Sequence, residues 1–413
     1  MIRDEFLELL KEKTRAFIRA HRAENPDTFA LKYGSDKSLP IRAVAEQIRC
    51  IKKAGIKLPA LSRKELIYEK TALEQSSSEL TAEFKSTLIR GKRLIDMTGG
   101  LGIDVLYFSD NFEEIIYCDQ NVLLTEIFEY NLAQTGKRNI SIRTGDSLEI
   151  LGSFPADYFD WIYADPARRN SQQRFIGLQN CSPNVIEHIS LMFQKTRNIL
   201  IKVSPAIEIE EVKKQLPFIT DFIVVSVDNE CREILLILQK GSAAAQPLVK
   251  AVLIDSHTGQ HRTFAGQNSV KQISNISPGV LNYFYEPDAA IIKSRLSKQI
   301  AVDYSLLFVN KSVDYLTADE LHIDFPGRVF SVRKALIYNK KRLKAYLNNN
   351  NVVSANIARR DFPDPPEKLR HMLNLKDGGT DYLFFTKDSG GSLIVIHAVK
   401  ANINNSGGSI DPC

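Results

Sequence analysis

Four carboxylates are placed where they could act together. Asp96, Asp119, Asp146 and Asp165 each close a short apolar run of the kind that forms a buried strand: Leu94–Met97, Ile115–Cys118, Ile140–Thr144 and Phe159–Ala164. The first is followed by a glycine turn, Thr98-Gly99-Gly100-Leu101-Gly102, and the last opens Asp165-Pro166-Ala167-Arg168-Arg169. Glycines in such a turn let main-chain N–H groups approach a ligand at a helix start, and an acid at the tip of the next strand can accept ribose hydroxyls. The chemistry implied is the holding of a nucleotide-like molecule. No nucleophile accompanies it: Cys181 lies well past the fourth strand with no basic neighbour to activate it. His257 and His261 fall in a hairpin without a third ligand, so no metal is expected.

These residues need a scaffold that brings strand ends together. From Arg93 to Lys240, strands alternate with helices predicted near 121–135, 185–196 and 207–216. A fifth strand spans Asn198–Val203, and Phe222–Val227 and Ile234–Leu238 flank Asp228-Asn229-Glu230 as a tight antiparallel pair. Alternation of this kind gives a parallel doubly wound α/β sheet, here of seven strands with the last reversed.

The set Asp96-x-Thr98-x-Gly100-x-Gly102, Asp119, Asp146 and Asp165-Pro166 resembles the motif series of class I S-adenosylmethionine-dependent methyltransferases. The resemblance covers about 74–240 and implies the seven-stranded Rossmann-like methyltransferase sheet. It implies S-adenosylmethionine as cofactor, with Asp96, Thr98, Gly99, Gly100 and Gly102 around its amino-acid part. Asp119 and Gln120 would meet the ribose, and Asp146 and Ser147 the adenine edge. Asp165 closes the pocket. A dinucleotide dehydrogenase is the rival, but the spacing is G-G-x-G and a final antiparallel hairpin is foreign to that fold. In amino-methylating relatives the fourth-strand motif is Asp/Asn-Pro-Pro-aromatic. Here Ala167-Arg168 replaces the last pair, which leaves Asp165, Pro166 and Arg168 as the catalytic set and Arg169 for a substrate phosphate or a base.

The whole-chain order also resembles a bacterial group with a methyltransferase core, a ferredoxin-like segment and a C-terminal THUMP-like domain. On that plan residues 1–72 form a helical N-terminal cap, with helices near 6–17 and across 41–54. Residues 73–240 form the methyltransferase domain, led in by LEQSSSEL with Gln75 and Ser76 beside the substrate. A linker with a β-hairpin occupies 241–279, the ferredoxin-like segment 280–325, a small α+β THUMP-like domain 326–400 and a disordered tail 401–413. Within the last two regions the pattern predicts a helix over 286–302, a strand at 329–332, a helix over 334–347 and a strand at 352–357. THUMP domains are associated with structured RNA, so the resemblance implies a tRNA or rRNA partner. Residues 328–370 carry 11 Lys/Arg against 3 Asp/Glu, with Lys340-Lys341-Arg342 and Arg359-Arg360 as the densest runs, which suits a phosphate backbone.

Bulk properties are consistent with this. The chain of 413 residues is 44% hydrophobic and 25% charged, with net charge +5. Its middle, 91–240, is acidic (21 Asp/Glu, 15 Lys/Arg), and 241–413 is basic (21 Lys/Arg, 15 Asp/Glu). No stretch approaches the roughly 20 apolar residues of a membrane span, and the acidic N-terminus lacks the apolar core of a signal peptide. Five scattered cysteines fit a reducing cytoplasm. The function implied is RNA methylation; a non-catalytic module binding RNA and the cofactor and a small-molecule methyltransferase are the alternatives.

Overall fold

The computed structural model describes residues 1–35, 38–168, 178–242, 247–266 and 275–401. The chain divides into two compact units, Met1–Phe222 with Glu233–Pro247, and Ile223–Arg232 with the remainder from Leu248.

The first unit begins with four helices, α1 (Arg3–Leu10), α2 (Glu12–His21), α3 (Pro26–Tyr33) and α4 (Ile41–Lys57). The expected loop before residue 41 contains α3, because Pro26 occupies the first helical position, where a missing N–H costs nothing, and Asn25 caps it. Helix α4 runs through Gly55, the expected stop, to Lys57. An extended segment then leads toward the sheet, and two buried side-chain amides take the place of a neighbouring strand. Gln47 donates to the Tyr68 carbonyl (2.6 Å) and accepts its N–H (3.1 Å), while Asn131 does the same for Ile67 at 2.8 Å in both directions. Buried main-chain groups are thereby satisfied without a ladder.

Helices α5 (Lys70–Gln75) and α6 (Glu79–Leu88) lead in to strand β1 (Gly91–Asp96). There follow α7 (Ile103–Phe108), β2 (Phe112–Asp119), α8 (Val122–Thr135), β3 (Ile140–Thr144), α9 (Ser147–Gly152) and β4 (Phe159–Ala164). After α10 (Val185–Lys195) come β5 (Thr196–Val203), α11 (Ile209–Gln215), β6 (Ile219–Val227) and β7 (Glu230–Gln239). The strands lie in the order β3-β2-β1-β4-β5-β7-β6. β1 to β5 pair in parallel, and β7 runs antiparallel to β5 from Asn198↔Gln239 to Val203↔Ile234. The seven expected strands, the reversed one included, are therefore present. The hairpin expected within 241–279 is formed by β8 (Leu248–Ile254) and β9 (His261–Gly266), and one addition was not expected, a two-residue pairing of Ala167–Arg168 with Cys181–Ser182. Within the second unit β8 joins the end of β6, where the Asp228 N–H donates to the Ile254 carbonyl (3.1 Å).

The second unit is built on a seven-stranded sheet. Its strands are β10 (Tyr283–Pro287), β11 (Leu307–Phe308), β12 (Leu316–Ala318), β13 (Gly327–Ile337), β14 (Asn356–Arg359), β15 (Asp381–Lys387) and β16 (Leu393–Lys400). They lie in the order β11-β12-β10-β13-β16-β15-β14. Consecutive residues feed two cores, as strand alternation requires. Phe384 and Ile396 join Phe284, Tyr315 and Phe330, whereas Phe385 and Val395 join Leu343, Leu347 and Leu369. Three local expectations fail here. Glu286 and Pro287 end a strand rather than start a helix; two short helices follow, α12 (Ala289–Lys293) and α13 (Ser297–Asp303), separated by Arg295 at φ 60°. Residues 334–337 continue β13 because β16 pairs with it as far as Ile337, so α14 (Lys340–Asn349) starts only after the Asn339 cap. Residues 352–355 precede rather than form a strand, and β14 starts at Asn356. Helix α15 (Pro366–Leu373) completes the unit. The tail read as disordered lies outside the described residues from 402 on, as does Arg169.

Candidate functional site

The carboxylates at the strand tips are held by their own turns. Asp96 ends β1 almost fully buried and accepts the Thr98 N–H (2.8 Å). Burial pushes its carboxyl up to about 8, with Asp104 and Asp165 adding to the effect against the Thr98 N–H. The Thr98 hydroxyl donates to Asp96 (3.2 Å) and accepts the Asp165 N–H (2.7 Å). Thr98 thus ties the tip of β1 to the tip of β4. Asp119 accepts the Gly100 N–H on one oxygen and the Asn121 N–H on the other, both at 2.8 Å. Each oxygen keeps a lone pair for a further donor. Asp146 caps α9 through the Leu148 N–H (2.7 Å), with Ser147 in the helix's first turn, and Gln120 is exposed beside Asp119.

The turn has no room for a side chain at Gly99 or Gly102. A Cβ at Gly99 would lie 2.3 Å from the Tyr117 ring, and one at Gly102 would lie 2.0 Å from the Phe128 ring. Those two rings stack on each other at 4.2 Å. Gly100 and Gly102 have φ of 56° and 70°, the left-handed region that glycine enters freely. The Tyr117 hydroxyl donates to the Gly100 carbonyl (2.5 Å), fixing the turn from below.

Behind this cradle lies a buried ionic network that the sequence did not disclose. Lys85 on α6 is fully buried and pairs with Glu233 on β7 (2.7 Å) and Asp104 on α7 (3.3 Å). Ser77 donates to Asp104 (2.9 Å) and accepts from Lys85 (3.0 Å), and the Tyr163 hydroxyl donates to the same Asp104 oxygen (2.6 Å). Lys202 on β5 reaches Asp165 (2.5 Å) and Ser77 (3.4 Å). Burial opposes charge on Lys202, but Asp165, Asp104 and Glu233 outweigh it and hold the ammonium above the usual lysine range. Burial likewise opposes ionisation of Asp104, yet Lys85 and Lys202 keep it below the usual carboxylate range. Glu233 is pushed up by burial.

Of the lead-in residues, Gln75 is exposed, and Ser76 spends its hydroxyl on the Leu73 and Ser77 carbonyls. Ser77 turns inward, and Ser78 caps α6. Pro166 and Arg168 follow Asp165, with Arg168 paired through its main chain to Cys181, which is buried. In the second unit Lys340, Lys341 and Arg342 are exposed on the first turn of α14. Arg359 and Arg360, read as phosphate ligands, are engaged internally. Arg359 donates to the Phe362 carbonyl (2.6 Å); Arg360 pairs with buried Glu286 (3.2 Å) and covers the Tyr315 ring at 4.8 Å. No cluster of metal-ligating side chains and no helix long and apolar enough to cross a membrane occurs among the described residues.

Comparison with known proteins agrees with the fold. Residues 327–400 match the THUMP domain-like family. An uncharacterized S-adenosylmethionine-dependent methyltransferase of Mycobacterium tuberculosis, recorded in two strains, is 23% identical over 351 residues, spanning 84% of this chain and 91% of its own. The crystal structure of a candidate methyltransferase of Porphyromonas gingivalis W83 superimposes with TM-score 0.82 at 26% identity, covering 97% of this chain and all of that one. The chain has a methyltransferase fold followed by a THUMP-like domain, as its motif series implied.

Proposed function

We propose that this chain transfers the methyl group of S-adenosylmethionine to structured RNA, a tRNA or rRNA. The observation that carries the reading is the arrangement of Asp96, Asp119, Asp146 and Asp165 at the C-terminal tips of four adjacent parallel strands, where open α/β sheets bind ligands. The cradle fits such a cofactor: a side chain is excluded at Gly99 and Gly102, and both Asp119 oxygens keep a lone pair for ribose hydroxyls. Asp96, Thr98 and Gly100 would hold the amino-acid part, and Asp146 and Ser147, with Gln120 nearby, the adenine end. S-adenosylmethionine supplies an electrophilic methyl group on a sulfonium, so most of the rate comes from alignment of an amine or similar acceptor. Asp165 and Pro166 orient that acceptor. Arg168, Arg169, Gln75 and Ser76 are the residues this reading assigns to the RNA near the site. The THUMP-like match and the exposed Lys340-Lys341-Arg342 run support RNA over a small molecule.

The test is tritiated-methyl transfer to RNA from a strain lacking this gene, followed by nucleoside analysis, beside filter binding of total RNA at rising salt. Label in one nucleoside and affinity that falls steeply with salt are expected. Label absent from RNA, or binding without a salt slope, sinks the RNA reading. Asp165→Ala should abolish transfer while leaving S-adenosylhomocysteine affinity largely intact.

A further inference from the structure

Asp165 is fixed at two points. Its main-chain N–H is held by the Thr98 hydroxyl, and one carboxylate oxygen lies 2.5 Å from the Lys202 ammonium. Lys202 is itself anchored by the Ser77 hydroxyl (3.4 Å), which belongs to the network of Lys85, Asp104 and Tyr163. Lys202 keeps only 11% of its side chain exposed, and Asp165 is the acid it pairs with directly, at 2.5 Å. The Asp165 carboxylate, half-buried at the tip of β4, is the most exposed acid of the network, its side chain keeping 35% exposure against 11% for Asp104 and 5% for Glu233.

We propose that Lys202 is the positioning residue of the acceptor site: it takes one oxygen of Asp165 and so aims the other at an N–H or O–H of the acceptor. The proposal rests on the methyl-transfer reading and on Asp165 as the acceptor's partner. Ser77 sets the height of the ammonium, so the lead-in segment and the fourth-strand motif act on the acceptor as one unit. The acceptor class that follows is a hydrogen-bond donor, an amine or an imino N–H, rather than a ring carbon attacked through a covalent enzyme adduct. Lys202 acts through Asp165 and has no step of its own.

The experiment compares the full-length protein with Lys202→Met, Asp165→Asn and the double variant. Tritiated-methyl transfer is measured into the RNA, protein and small-molecule fractions of an extract lacking this gene, with S-adenosylhomocysteine affinity by calorimetry. Lys202→Met should lower kcat by about 100-fold, the scale of a small misplacement of reacting groups, with S-adenosylhomocysteine affinity within about twofold of wild type. The double variant should be no slower than the slower single variant, because a residue acting only through Asp165 has nothing left to position. Lys202→Arg, which keeps the charge, should recover part of the loss. Transfer unchanged in Lys202→Met overturns the proposal. So does loss of cofactor affinity in step with transfer, or a double loss equal to the product of the single ones. Failure of the functional reading shows separately, in the wild type: label in a fraction other than RNA removes RNA as substrate, and no label anywhere removes methyl transfer and the role of Lys202 with it.

Discussion

The strand-tip carboxylates and the buried ions behind them solve the same problem in different ways. Asp96, Asp119 and Asp146 are satisfied by main-chain N–H groups of their own or the neighbouring turn: Thr98, Gly100, Asn121 and Leu148. Glu233 is satisfied by Lys85, 148 residues distant in sequence, and Asp104 by the Ser77 and Tyr163 hydroxyls with Lys85 as its counter-ion. A turn needs only the right residues in a row, so its hydrogen bonds can be inferred from spacing. A buried ion pair needs the whole sheet in register before its partners meet. The first kind of contact shapes a binding surface from residues close in sequence; the second couples α6, α7 and β7 and fails badly if one member is removed.

The largest effect should come from breaking the network. Lys85→Met leaves Glu233 buried without its hydrogen-bond partner and Asp104 without a counter-ion, and the expected loss of stability is about 3–5 kcal/mol, read by urea unfolding. A loss under about 1 kcal/mol, the scale of exposed pairs, would mean that solvent reaches the cluster and that the contrast with the strand tips is one of distance only.

The turn should break next. Gly102→Ala incurs both the left-handed backbone cost of roughly 1–2 kcal/mol and an overpacking cost of about 1–3 kcal/mol, since its Cβ would lie 2.0 Å from the Phe128 ring. Gly136 is the control: its φ is 77°, with nothing within 4 Å of a Cβ, so Gly136→Ala should show the backbone cost alone. Only Gly102→Ala should also weaken S-adenosylhomocysteine binding in calorimetry. Equal stability losses for the two variants would show that the ring moves aside.

What was legible in the sequence follows the same division. The glycine turn, the four acids and the closing hairpin are local patterns, and the strand order is what the family resemblance they carry implied. Thr98 was visible as part of the motif, but its bond to the Asp165 N–H required β1 and β4 to be adjacent. Lys202 is one lysine in an apolar run, and Lys85 one on a polar-looking helix; neither has a neighbour in sequence that gives it a partner. The signal that could have found them is the period of each element. Lys85 falls on the buried face of α6 with Thr81, Ala82 and Phe84. The failed helix over 286–302 and the delayed start of α14 have a related cause, because pairing with distant strands overrode local helical patterning.

Asp96 offers a smaller test that joins the two regions, because it sits in the local turn but feels the network's charges. A carboxyl pushed up to about 8 is protonated in the folded protein at neutral pH and ionised in the unfolded chain. Folding then takes up a proton, so the stability it contributes is full below the ordinary carboxylate range and is lost as pH rises toward 8, at up to about 1.4 kcal/mol per pH unit. Asp96→Asn should flatten that slope between pH 5 and pH 8 in urea titrations and be more stable than wild type at the upper end. A slope unchanged by the substitution would place the proton uptake elsewhere.

The smallest effect on stability, and the most telling for RNA, concerns the basic runs of the second unit. Arg360 is tied to Glu286 across 74 positions and behaves like a network residue; Lys340, Lys341 and Arg342 are exposed and, apart from the Asn339 cap on the Arg342 N–H, stand on the first turn of a helix. That position opposes cations, because the N-terminal end of the helix dipole is positive. Replacing all three with alanine should therefore leave stability unchanged or raise it by a few tenths of a kcal/mol. If they meet phosphates, the same variant should reduce the slope of log affinity for RNA against log salt by about 2–3. Arg360→Ala should do the reverse, lowering stability while the salt slope changes by less than about 1. A triple variant that loses stability without losing slope would make the run structural and move the polyanion site to another face of the chain. Loss of slope at unchanged stability would fit residues kept at an unfavourable helix position because they bind.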